Sequence, residues 1–216
     1  MDLCQPRKKL ARSEKNDFPL EHTQFTQTMR IIAGSAGRMA IKVPQAVARP
    51  TTDFVRQAMF SILGERILGA RVADLFAGSG ALGLEALSRG SCACTFVDES
   101  HQSVKVIRQN CDATRLQGHR IIHAEVLSFL KKDTQCYDLI FADPPYAKHP
   151  LDTEHIGKLL NSELLLPRLT DNGIFYAEVA KSTKSPEHPH WNLIDRRHYG
   201  SSAILLYQPK TGDGAD

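Results

Sequence analysis

The sequence predicts an α/β fold, a mainly parallel sheet with helices on both of its faces. Three observations carry that expectation. The 216 residues are 42% hydrophobic and 24% charged, a composition that sustains a packed core and excludes disorder throughout. From Arg71 onward, short apolar runs alternate with segments of helical periodicity at βα length, which makes the strands parallel. The first strand-to-helix junction of that alternation is rich in glycine, as at a nucleotide site.

The elements follow in chain order. Residues 1–28 carry Arg7, Lys8, Lys9, Arg12 and Lys15 against Asp2, Glu14, Asp17 and Glu21, without apolar periodicity, and read as a disordered extension. Its acids argue against an organellar transit peptide, and its basic run is short for a localisation signal. Ordered pattern begins at Met29, which itself reads as an alternative start. Residues 29–210 are expected to form a single domain, with a hairpin and loop over 29–50, and 211–216 a flexible tail. The hairpin is built from Met29 to Ile32 and Met39 to Val43 around a turn at Gly34 to Gly37. Thr51, Thr52 and Asp53 form a capping cluster ahead of a helix from Phe54 to Leu63. The alternation then runs strand 71–76, helix 81–88, strand 95–97, helix 101–116, strand 121–123, helix 126–131 and strand 137–142. A helix at 153–160, a strand at 173–179 and a closing pair at 191–199 and 202–207 bring the strands of the main sheet to seven.

Charge and cysteine usage exclude several classes. Lys plus Arg number 27 and Asp plus Glu 24, a net +3, too little to grip nucleic acid by bulk charge, so an RNA or DNA contact must be a local patch. No uncharged apolar run approaches the ~18 residues of a spanning helix, and the first residues lack the apolar core of a secretory signal. A cytoplasmic protein is expected. The five cysteines, Cys4, Cys92, Cys94, Cys111 and Cys136, are odd in number and suit reduced thiols. Cys92 and Cys94 lack a second ligand pair, so no zinc site is expected. His188-Pro189-His190 reads as a surface turn and Trp191 as packing at a sheet edge.

The glycine junction reads Asp74-Leu75-Phe76-Ala77-Gly78-Ser79-Gly80-Ala81-Leu82-Gly83, with Asp98 about 20 residues beyond Gly78. Gly78 and Gly80 permit a tight turn and let a ligand touch the backbone. Asp98, at the end of the second parallel strand, can accept both hydroxyls of a ribose. Taken alone, this pattern also fits NAD. Asp74 shifts the balance, because a carboxylate there repels a pyrophosphate and suits a ligand ammonium, as in a sulfonium amino acid nucleoside.

At the end of the fourth parallel strand stands Asp143-Pro144-Pro145-Tyr146. Neither proline has an amide hydrogen, so their neighbourhood offers carbonyl oxygens and the Asp143 carboxylate as acceptors, which is what an exocyclic base amine requires. Tyr146 adds a stacking face.

These residues resemble the S-adenosylmethionine-dependent amino-methyltransferases, in which an Asn- or Asp-Pro-Pro-aromatic motif receives the target nitrogen. Met29 to Gly34, Gly37-Arg38, Arg49 to Arg56 and Asp74 to Gly90 narrow the resemblance to the RsmD family, bacterial methyltransferases of a guanine N2 amine in small-subunit ribosomal RNA, over about residues 29–208. The resemblance implies a Rossmann-like class I methyltransferase with a seven-stranded, mainly parallel sheet and an N-terminal β-hairpin. It implies contacts to S-adenosylmethionine, and to its product S-adenosylhomocysteine, from Asp74, Gly78, Gly80, Asp98 and Glu125, with no metal. Glu125 either reaches the adenine amine or is a solvated acid at a helix start. Asp143, Pro144, Pro145 and Tyr146 would form the catalytic pocket, and Arg38, Arg49, Arg56 and Tyr146 would contact 16S ribosomal RNA, within the small subunit or an assembly intermediate, by a monomer.

The chemistry expected is in-line attack of the amine on the sulfonium methyl, with the base unpaired or flipped and Asp143 and the Pro144 carbonyl drawing on the amine hydrogens. Beyond the cofactor alternation the sequence holds only the hairpin and the last strands, so target choice is expected to come from a preformed RNA or ribonucleoprotein surface. The competing readings are an amino-methyltransferase of DNA adenine or of a protein amide, an NAD-dependent oxidoreductase, and a non-catalytic RNA-binding module.

Overall fold

The computed structural model describes residues 27–44, 52–144, 154–185 and 188–210. Expectations for the extension up to residue 26, for Arg49, for Pro145 and Tyr146, and for the tail at 211–216 lie outside the described residues. Strands β1 (Gln27–Arg30) and β2 (Ala40–Val43) pair antiparallel as the expected hairpin. The pairing reaches Gln27 and Thr28, ahead of the boundary drawn at Met29, because Gln27 lies opposite Val43.

Helix α1 (Asp53–Leu63) starts at Thr52, whose hydroxyl accepts from the Val55 amide at 3.3 Å. Then come β3 (Arg71–Leu75), α2 (Ala81–Ser88), β4 (Ala93–Asp98), α3 (His101–Thr114), β5 (His119–His123), α4 (Val126–Lys132) and β6 (Tyr137–Ala142). The chain closes with α5 (Glu154–Asn161), β7 (Leu169–Ala180), β8 (Trp191–Tyr199) and β9 (Ser202–Pro209). Among the described residues the main sheet has seven strands in the order β5-β4-β3-β6-β7-β9-β8, parallel from β5 to β7, with β9 running antiparallel between β7 and β8. β7 is longer than expected. Its first turn-like residues, Thr170 to Gly173, are absorbed at a register irregularity where Leu169 pairs with Tyr137.

Alternation along the strands divides the core between the two faces. Val72 and Phe141 pack with α1, α2 and α3 on one side, while Leu75 and Ile140 pack with α4 and α5 on the other. Trp191 is buried on edge strand β8 beside Phe175 and Tyr207, its indole donating to the Leu160 carbonyl at 3.1 Å. Helix α2 is buried on every side, Glu85 included. A short helix that is apolar all round needs cover on its outer face, and the hairpin supplies it. Glu85 accepts the Ile32 and Ala33 amides at 2.6 and 3.0 Å, and the Ser88 hydroxyl donates to Ala33 O at 2.6 Å. Ile31 and Ile41 complete the contact from the hairpin side.

Candidate functional site

The strand order reverses at β3. β4 lies on one side of it and β6 on the other, with Leu75 level with both Val97 and Ala142. A crevice at the carboxyl ends of the strands is expected at such a switch point. The glycine turn leaves β3 there, Asp98 closes β4, Glu125 follows β5 and Asp143-Pro144 follows β6.

Gly78 and Gly80 have φ of 56° and 76°, left-handed values that admit glycine without strain. The turn is held by its neighbours. Ala77 N donates to Val97 O at 3.0 Å and Gly80 N to Ala77 O at 2.7 Å. Asp98 accepts the Gly78 amide on Oδ2 at 2.7 Å and the Ser100 amide on Oδ1 at 2.8 Å. Each carboxylate oxygen keeps a second lone pair, and the side chain is half-buried, so Asp98 fits the ribose role. Asp74 is buried beneath α2, its Oδ2 accepting the Gly83 amide at 2.9 Å. Burial pushes its carboxyl up to about 8, against the Gly83 amide, with the Asp98 charge adding to the rise. A ligand ammonium nearby would oppose that rise, as an amino acid nucleoside requires.

Gly83 sets how closely the helix approaches the sheet. A methyl group there would lie 2.3 Å from the Phe96 ring and 2.5 Å from Cys94 Sγ. One strained residue escaped sequence reasoning. Phe76 sits at φ 60° between Asp74 and Gly78, a conformation costly for a bulky side chain, and its ring meets His155 at 5.5 Å. Nothing in the sequence marks an aromatic residue as left-handed.

The hairpin reaches this turn through Asn110. Its side chain accepts the Lys42 amide at 2.8 Å and donates to both Lys42 O and Ser79 O at 2.9 Å. The buried polar position at Asn110, on the apolar face of α3, is the signal that would have found it.

The remaining expected residues divide. Asp143 is half-buried and Pro144 buried beside the crevice. Glu125 caps α4, its two oxygens accepting the Leu127 and Ser128 amides at 2.9 and 2.7 Å. Burial nudges its carboxyl up, but those amides hold it below the usual range. Glu125 thus stands at the helix start, and its exposed side chain lies at the carboxyl edge of the sheet. Arg38 is exposed, in the hairpin turn that docks on Ser88, at the far end of α2 from the glycines.

Arg56 is a correction. Expected against RNA, it is fully buried, donating to Arg30 O at 2.7 Å and Asp53 Oδ1 at 2.8 Å, with Glu85 4.0 Å away. Its spacing with Met59, Phe60 and Leu63 places it on the inward face of α1, so it joins α1 to the hairpin and α2. Among the described residues no group of three or more His, Cys, Asp or Glu side chains is placed to hold a metal, and Cys92 is exposed while Cys94 is buried.

Comparison with known proteins adds to this geometry. The profile of the family described as Conserved hypothetical protein 95 matches residues 29–208. Ribosomal RNA small subunit methyltransferase D of Escherichia coli (strain K12) is 32% identical over 190 residues, covering 87% of this chain and 93% of that protein. The solved structure of yhhF from Escherichia coli, described as a methyltransferase, is similar at a TM-score of 0.70 and 32% identity, over 85% of this chain and 98% of that one. SMU.776, described as a methyltransferase and solved complexed with SAH, shares the fold at a TM-score of 0.61 and 18% identity, over 79% of this chain and 53% of that one.

Proposed function

The chain belongs to the family of Conserved hypothetical protein 95, the RsmD family of ribosomal RNA small subunit methyltransferases, and from that premise we propose that it methylates the exocyclic N2 amine of a guanine in 16S ribosomal RNA. S-adenosylmethionine-dependent methylation of small-subunit ribosomal RNA follows from the family. The choice of guanine N2 and the use of the Asp143 segment are the finer reading. One observation carries it, the placement of Asp143-Pro144 at the end of β6, beside the strand that delivers the glycine turn.

S-adenosylmethionine, when bound, supplies a methyl group on a positively charged sulfur that is already a good leaving group. The protein's part is positioning. Asp74, Gly78, Gly80 and Asp98 hold the cofactor, and Glu125 lies at the adenine end. The guanine N2 lone pair is delocalised into the ring, and an acceptor on each amine hydrogen makes it more available. The Asp143 carboxylate and the Pro144 carbonyl are those acceptors, with Tyr146 stacking on a base turned out of its helix. Asp143 need not be a strong base, because the methylated ammonium is acidic and gives up its proton readily. The setting proposed is the cytoplasm, with a monomer acting on the small subunit or an assembly intermediate.

The test is methyl transfer from labelled S-adenosylmethionine to small subunits that lack the modification, with the product nucleoside identified. N2-methylguanosine is expected from the wild type and none above background from Asp143→Ala, with cofactor binding retained by the variant. Labelling of another nucleoside, or full activity of the variant, overturns the finer reading.

A further inference from the structure

Phe54 is the most exposed large apolar side chain among the described residues, at 70%. It stands in the first turn of α1, and α1 runs down the sheet from the carboxyl edge, since the chain must still return through a short turn to begin β3 at the opposite edge. Its ring meets Tyr199 edge to face at 5.8 Å. Tyr199 ends β8, level with Ser202, which in turn lies opposite Ala180 on β7. Both rings therefore lie at the edge where Asp143 leaves β6. Three strand spacings separate β6 from β8, about 14 Å, a span that a few unstacked nucleotides cover.

Cations frame the pair. Arg197 lies two residues from Tyr199 on the same face of β8, its side chain 52% exposed, paired with Asp195 at 2.8 Å and with the Tyr199 hydroxyl also among its partners. Arg30, 68% exposed, binds Asp53 beside Phe54, and exposed Lys181 bonds through its amide to Ser201 O in the β8–β9 turn. A single exposed phenylalanine is unremarkable on any protein surface. An aromatic pair flanked by guanidinium groups, on the same edge as the transfer site, is a stacking platform for an unpaired base.

We infer that Phe54 and Tyr199 stack on an unpaired nucleotide of the RNA that neighbours the target guanine, with Arg30 and Arg197 facing its backbone. This rests on the RNA-methyltransferase reading above. The platform sets how the substrate is held and leaves the transfer step itself to the Asp143 segment.

The experiment compares wild type, Phe54→Leu and Phe54→Trp on small subunits lacking the modification and on the deproteinised RNA. Cofactor affinity and thermal midpoint are measured alongside, and ultraviolet crosslinks to the subunit are located by mass spectrometry. The leucine variant is expected to raise the RNA KM about tenfold, with kcat at saturating RNA, cofactor affinity and thermal midpoint unchanged. The tryptophan variant is expected to keep the wild-type KM, and a nucleotide is expected on a peptide containing Phe54 or Tyr199. A wild-type KM for Phe54→Leu overturns the inference. So does a rise matched by lost stability, or crosslinks only to ribosomal protein. If the wild type labels no RNA, the proposed function itself fails and takes the platform with it. If the wild type labels RNA and the variants match it, only the platform falls.

Discussion

Asp74 concentrates the residue-scale physics of the site. Its carboxyl ordinarily titrates near 3.8, and burial in the folded chain moves it up to about 8. A group whose folded value is raised stabilises fully below its unfolded value and loses that stabilisation as pH rises through the folded one. The wild type should therefore lose stability relative to Asp74→Asn as pH climbs from about 4 to about 8, then run parallel to it. Urea midpoints of the two proteins across that window check this, and a constant difference would mean that the carboxyl titrates alike in both states. The turn that joins Asp74, Gly78, Gly80 and Asp98 was legible because glycines at that spacing after a strand mark a tight strand-to-helix junction. Arg56, placed against RNA by the resemblance, is instead turned inward by its helical spacing with Met59, Phe60 and Leu63.

At the scale of elements, two helical glycines make opposite predictions from one physical rule. Replacing glycine by alanine inside a helix gains about 1 kcal/mol through backbone entropy. Gly157, in α5, has open space around the position of an added methyl, so Gly157→Ala should stabilise by roughly that amount. Gly83, in α2, would drive the same methyl into the buried Phe96 ring and Cys94 Sγ, neither of which has room to withdraw. Overpacking costs about 1–3 kcal/mol and outweighs the gain. Gly83→Ala should thus be destabilised, with α2 pushed off the sheet and cofactor affinity lowered. Thermal melts of both variants decide the signs. The helices and strands themselves were largely legible, since period and capping residues such as Thr52 are local properties. β7 begins four residues before the expected strand because Thr170 to Asn172 look like a turn, and only pairing with β6 draws Leu169 into the strand.

At the scale of the whole molecule, one buried amide joins the hairpin to the glycine turn. Asn110 binds both backbone groups of Lys42, 68 residues away in the chain, and the Ser79 carbonyl inside the glycine turn. Asn110→Ala removes one hydrogen-bond partner from each of those backbone groups, at about 1–3 kcal/mol for each group this leaves buried and unsatisfied. A loss of roughly 2–4 kcal/mol in stability is expected, together with weaker S-adenosylmethionine binding because the turn is no longer braced. Urea unfolding and calorimetric titration measure the two effects, and cofactor affinity equal to the wild type's would show that hairpin and turn are independent. By itself the sequence determined the α/β class, the parallel order of the βα units, the glycine turn with its acids, and the Asp143 segment, because each depends on residue type and local spacing. Only the tertiary structure decided that the hairpin seals α2, that Arg56 is buried with Glu85, that Phe76 is strained, and that Phe54 meets Tyr199. Those are meetings of residues far apart in the chain, and local periodicity carries no record of which distant side chain will occupy a given space.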